Sequence, residues 1–146
     1  MKRGKNIQGL TLIELVVTMA IMVIAAGIVI PKFDMGDYLL KTQAQQLCGE
    51  IRNIRALKMS EGEYYQIALN RDFYQVKNGI KELKKVEMLK NYRIFYEKQD
   101  ISFTYSGVPN SGNTITIMNE KNGRRMKITI VPSSGRVLLK NEIFTE

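Results

Sequence analysis

The chain has 146 residues, a formal charge of +8 and no histidine, which excludes a histidine-based catalytic triad or metal site. Its single cysteine, Cys48, excludes an intrachain disulfide; it is a small buried apolar residue, the simpler reading, or else a free thiol or an intermolecular link. Apolar residues make up 45% of the chain but crowd toward the N-terminus, so roughly 110 residues remain for a globular part with a modest core.

The first nine residues, Met-Lys-Arg-Gly-Lys-Asn-Ile-Gln-Gly, are short, basic and polar. From Leu10 to Ile30 the chain is apolar apart from Thr11, Glu14, Thr18 and Gly27. As a helix this run spans about 32 Å at about 1.5 Å per residue. A bilayer's hydrocarbon core is about 30 Å thick. Lys2, Arg3 and Lys5 precede the run, so the positive-inside bias keeps the N-terminus cytoplasmic and sends the rest outward.

Glu14 needs a reason to be there. The run is too long for the h-region of a secretory signal, and a plain uncut anchor leaves the acid unexplained. A carboxylate in hydrocarbon costs a few kcal/mol near the bilayer centre and less near its edge. If the chain is cut after Gly9, Leu10 carries a free amine and Glu14 lies one helical turn away. The two charges neutralise each other in a low dielectric, within one chain or between neighbours. Between neighbours the pair sets an axial register that non-directional apolar packing cannot set.

Gly9-Leu-Thr-Leu-Ile-Glu-Leu15, with its basic leader and long apolar run, resembles the class III signal of type IV prepilins and type II secretion pseudopilins. The resemblance implies a membrane aspartic peptidase that cuts between Gly9 and Leu10 and N-methylates the new terminus. It also implies Glu14 as the assembly residue, other pilin-like subunits and an inner-membrane assembly platform as partners, and a filament outside the cytoplasm.

Pro31 follows the apolar run and predicts a kink, because it removes a helical hydrogen bond. Beyond it, Leu40, Ala44, Leu47, Ile51 and Ile54 recur in steps of four and three, forming one apolar stripe that ends near Gly62. The expected organisation is a leader (1–9), a transmembrane or filament-core helix (10–31), its amphipathic continuation (32–62) and a β-rich globular part (63–146).

Strand patterns follow. Tyr65, Ile67 and Leu69 alternate, then Phe73, Tyr74 and Val76 lead to an Asn78-Gly79 turn. Residues 80–90 fit a short helix or a strand. Tyr92–Phe95 and Ile101–Tyr105 read as extended, and Gly107–Gly112 as a loop. Ile115 and Ile117 alternate with threonines. Asn122-Gly123 predicts a hairpin returning through Met126, Ile128 and Ile130. Pro132–Gly135 turns again into Val137 and Leu139. The fold class expected is α+β, a long bent N-terminal helix on an antiparallel sheet domain. The order of these pieces, with Ser134-Gly135-Arg136-Val137 near the end, is similar to the pseudopilin H and FimT-like group, which includes a competence subunit of Gram-positive bacteria.

No catalytic constellation, metal-ligand cluster or cofactor motif is present in the sequence. The Gly107 to Gly112 spacing lacks the Gly-Lys-Ser/Thr of a phosphate loop. Asp34 and Asp37 read as solvated or capping acids. Residues 121–140 hold Lys121, Arg124, Arg125, Lys127, Arg136 and Lys140 with no acid. Arg125 and Lys127 are expected to face outward together, and Arg136 and Lys140 to share a face of the next strand. Of these, Arg124, Arg125, Lys127, Arg136 and Lys140 are candidates for contacting nucleic-acid phosphates; a solvated sheet face is the simpler reading. In FimT-like subunits that bind DNA, a basic C-terminal tail does so. Here Glu142 and Glu146 neutralise the tail. Three functions remain open: a filament subunit, a DNA-capturing subunit, and an unprocessed single-span membrane protein.

Overall fold

The structure, a computed structural model, describes residues 11–29, 35–140 and 142–144. The chain divides into two units, residues 1–34 and 35–146. The first contains helix α1 (Leu12–Val29). Every side chain described in it, from Thr11 to Gly27, is exposed. A helix that is apolar on all sides has no single inward stripe, the pattern of a helix buried all round or set in a membrane. At 18 residues α1 covers about 27 Å. Among the described residues no helix is long and apolar enough to cross a membrane. Gly9, Leu10 and Pro31 lie outside the described residues, so the expected cleavage and kink positions carry no structural account.

The second unit begins with helix α2 (Met35–Glu61). The predicted stripe is the buried one: Leu40, Ala44, Leu47, Ile51 and Ile54 are fully buried. Gly62 ends the helix with φ +74° and its N–H donates to the Lys58 carbonyl, the left-handed C-terminal geometry that glycine adopts without strain. Lys58 is itself buried, which its charge does not suggest. Its ammonium donates to the Gly62 carbonyl and lies 4.0 Å from the Tyr105 ring centroid. Cys48 is buried as expected, and burial pushes its thiol pKa up against the opposing pull of Arg52.

Eight strands follow: β1 (Tyr65–Leu69), β2 (Phe73–Asn78), β3 (Lys81–Glu87), β4 (Tyr92–Tyr96), β5 (Asp100–Ser102), β6 (Asn113–Asn119), β7 (Arg125–Ile130) and β8 (Val137–Leu139). They form two antiparallel four-stranded sheets rather than one, ordered β3-β2-β1-β5 and β4-β6-β7-β8. The ambiguous 80–90 segment is strand β3, exposed along almost its whole length. It reads as either element because its charges follow neither face of a core.

Both sheets pack on α2, through β1 and β5 on one side and β6, β7 and β8 on the other. Strict alternation in β6 and β7 buries Ile115, Ile117, Met126, Ile128 and Ile130 under the helix. Each such side chain contributes about 1.5–3 kcal/mol by burial. All the core residues lie between Leu40 and Val137, so the second unit carries its own core.

Two arginines of α2 fasten the loops. Arg52 donates to the Val137 carbonyl at 2.9 Å. Arg55 donates through Nε to the Gly107 carbonyl at 2.8 Å and through Nη2 to the Ser134 carbonyl at 3.2 Å, joining the 104–112 loop to the 131–136 turn. At that junction a Cβ on Gly135 would stand 2.0 Å from the Gly107 carbonyl oxygen, and φ there is +64°. Only glycine fits.

Candidate functional site: a capped apolar helix and a basic sheet face

The N-terminal site centres on Glu14. Its Oε2 accepts from the Thr11 backbone N–H at 2.9 Å and from Thr11 Oγ1 at 3.0 Å, while the Glu14 N–H donates back to Thr11 Oγ1 at 3.4 Å. This is a capping box, Thr-x-x-Glu, which satisfies donors that the first helical turn leaves unpaired. The Thr11 to Glu14 spacing is the signal of this cap in the sequence. Thr18 also hides its hydroxyl, donating to the carbonyls of Glu14 and Leu15. Ile13, Glu14, Val17 and Thr18 thus form an apolar helix surface with a single carboxylate at its start.

The second site is the face of the β4-β6-β7-β8 sheet turned away from α2. Residues directly opposite in antiparallel strands share a face. Arg93, Met118, Arg125 and Phe144 form one row across it, and Phe95, Thr116 and Lys127 the next. The tail reaches the sheet through paired backbone bonds between Arg125 and Phe144, at 2.9 and 3.0 Å. The Lys140 N–H donates to the Lys127 carbonyl at 3.0 Å, which continues the β7–β8 register and sets the two lysines side by side. Arg136 and Lys140 flank β8 on the side of exposed Leu138.

The five predicted cations therefore separate. Arg125, Lys127, Arg136 and Lys140 share the outer face as expected. Arg124 points the other way and pairs with Asp37 in the first turn of α2. That acid is neither merely solvated nor capping, because it ties the helix start to the β6–β7 hairpin. Tyr92 reinforces the tie by donating to the Gly36 carbonyl at 3.0 Å. On the outer face, Arg93 is neutralised by Asp72 at 3.0 Å and Glu120 at 3.6 Å. Lys127, Arg136 and Lys140 make no ion pair among the described residues. Lys127 and Lys140 stand opposite one another, an arrangement that destabilises a sheet when the charges are alike, and Arg136 lies further along the same face. No cluster of ligands able to hold a metal occurs among the described residues.

Comparison with known proteins bears on the N-terminal segment and on the fold. Residues 4–30 match the prokaryotic N-terminal methylation motif, the signature of prepilin-type proteins. The fold is that of the minor pilins. The type IV minor pilin FimU of Pseudomonas aeruginosa superposes with a TM-score of 0.59 at 16% identity, over 69% of this chain and 87% of that one. The minor pseudopilin EpsH of the type 2 secretion system of Vibrio cholerae gives 0.59 at 11% identity, over 69% and 95%. A search of curated protein sequences gives no match. The resemblance read from Gly9 to Leu15 and from the order of the strands is thus met by a motif and by a fold: the chain is a pilin-like α+β protein with a prepilin-type N-terminus.

Proposed function

We propose that the protein is a minor pilin or pseudopilin, a structural subunit rather than an enzyme. It is inserted in the inner membrane through residues 10–31, with residues 35–146 outside the cytoplasm. A prepilin peptidase removes residues 1–9 and methylates Leu10. The assembly platform then lifts the subunit into a filament of a type IV pilus, a type II secretion system or a competence system. One observation carries this reading: the methylation motif spans a helix that is apolar all round and bears one carboxylate in its first turn. Such a helix has no core of its own to enter, and neighbouring helices of the same kind supply one. The Glu14 carboxylate then pairs with the amine of an adjacent subunit and fixes the register.

Mass spectrometry of the N-terminal peptide from membrane-extracted protein tests the reading. A peptide that begins at methylated Leu10 is expected. Intact Met1 in cells that contain the peptidase rejects the proposal in favour of an unprocessed single-span protein.

Lys127, Arg136 and Lys140, which share one face and make no ion pair among the described residues, support a second reading, in which the same subunit captures DNA. A gel shift across a salt series, with Lys127→Ala and Lys140→Ala as controls, tests it.

A further inference from the structure

We infer that the outer face of the β4-β6-β7-β8 sheet takes single-stranded nucleic acid, with phosphates on Lys127, Arg136 and Lys140 and bases stacked on Phe95 and Phe144. This rests on the nucleic-acid reading above and narrows its ligand.

The argument comes from what stands between the cations. A face that serves only to neutralise a duplex backbone needs charge and hydrogen bonds. This one also shows rings. Phe95, 39% exposed, sits in the same row as Lys127. Phe144 sits in the row of Arg125, with the Lys140 ammonium 5.6 Å from its ring centroid. The two rings lie at opposite sides of the sheet, three strand spacings and one row apart, or about 15 Å. They bracket Lys127 and Arg125.

The Arg71 guanidinium lies 5.9 Å from the Phe95 ring centroid. Arg71, Ile94, Phe95 and Tyr96 line a hollow of about 270 Å³ beside it. A planar cation, an aromatic face and an adjoining hollow are what an unstacked base seeks. In a duplex the base faces are stacked on each other and cannot reach the rings. Of the acids around this face, Asp72 and Glu120 are engaged with Arg93, and Glu142 stands exposed in the tail two residues before Phe144.

Fluorescence anisotropy with full-length protein in nonionic detergent tests the inference, using a labelled oligothymidylate and a duplex of equal length at low salt. The single strand should bind about tenfold or more tightly than the duplex. Phe95→Leu keeps the apolar volume and removes the π face, and should weaken single-strand binding about tenfold; Phe95→Tyr should leave it near the parent value. Lys127→Ala and Lys140→Ala should weaken both ligands and flatten their salt dependence. Equal affinity for both ligands, with Phe95→Leu without effect, overturns the single-strand inference and leaves the DNA reading standing. Binding of neither ligand overturns both, and so does binding only to anionic phosphatidylglycerol vesicles.

Discussion

Helices α1 and α2 are both rich in aliphatic residues, and the chain uses them in opposite ways. In α2 the aliphatics fall on one stripe and disappear under two sheets. In α1 they fall on every side and none of those described is buried. The difference lies in spacing and in polar residues. Lys41, Gln45, Gln46 and Arg52 give α2 a wet side, while α1 has only Glu14 and Thr18, each tied into its own backbone or into the cap at Thr11. A helix with one apolar stripe completes a fold. A helix apolar all round waits for an environment supplied from outside.

The sharpest way to break this contrast is Glu14→Gln. Glutamine also serves at the third position of a capping box, so the helix start survives while the charge is lost. Under the proposed assembly mechanism the variant should fall to background in sheared filaments, while urea unfolding of the second unit stays unchanged. Normal incorporation would reduce Glu14 to a cap.

The next effect belongs to the folded unit. Gly135→Ala places a methyl against the Gly107 carbonyl in a left-handed backbone conformation. It should cost about 3 kcal/mol, read as a lower urea midpoint. Incorporation should suffer only as far as folding does. An unchanged midpoint would mean that the Arg55 junction is looser than the geometry requires.

Smaller is the Asp37–Arg124 pair, which is partly exposed. Asp37→Asn and Arg124→Gln should each cost about 1 kcal/mol, and the double variant little more than either. Additive losses in that cycle would show that the two side chains act separately.

The smallest effect is a pH dependence. The Tyr65 hydroxyl donates to Glu61 at 2.6 Å, and this hydrogen bond, followed by burial and the charges of Glu61 and Glu63, holds its pKa at about 12. The unfolded value is about 10. A raised folded pKa means that the contribution is complete below pH 10 and is lost as pH rises through 12. The parent should therefore lose stability across that window more steeply than Tyr65→Phe, by urea unfolding at stepped pH. Parallel curves would contradict the bond to Glu61.

The amphipathic stripe, the strand alternation of β1, β6 and β7, and the turns at Gly79, Gly123 and Gly135 were all readable beforehand, because period and turn chemistry are local. The split into two sheets was not, since nothing in a strand says which neighbour it will choose. The outward placement of Arg125 and Lys127 followed from alternation. The loss of Arg124 to Asp37 joins residues 87 positions apart, and no local pattern announces it. Phe144 gives no signal for a related reason. In the sequence it belongs to a neutral tail, and it joins the basic face only because its backbone pairs with Arg125.

Strand β3 closes one edge of its sheet with Lys81, Lys84 and Lys85 among its seven residues. Along that rim, backbone donors and acceptors face outward in a row that any passing strand of suitable register can join. In the proposed filament, neighbouring domains would stand side by side at high local concentration, where such zippering would compete with ordered packing. An exposed strand of lysines and glutamates, with Lys84 paired to Glu50 and Lys85 to Glu87, makes the rim a poor template for another strand. Under that proposal the charged edge would keep crowded neighbours from fusing through their sheets and leave the helices to decide how they meet.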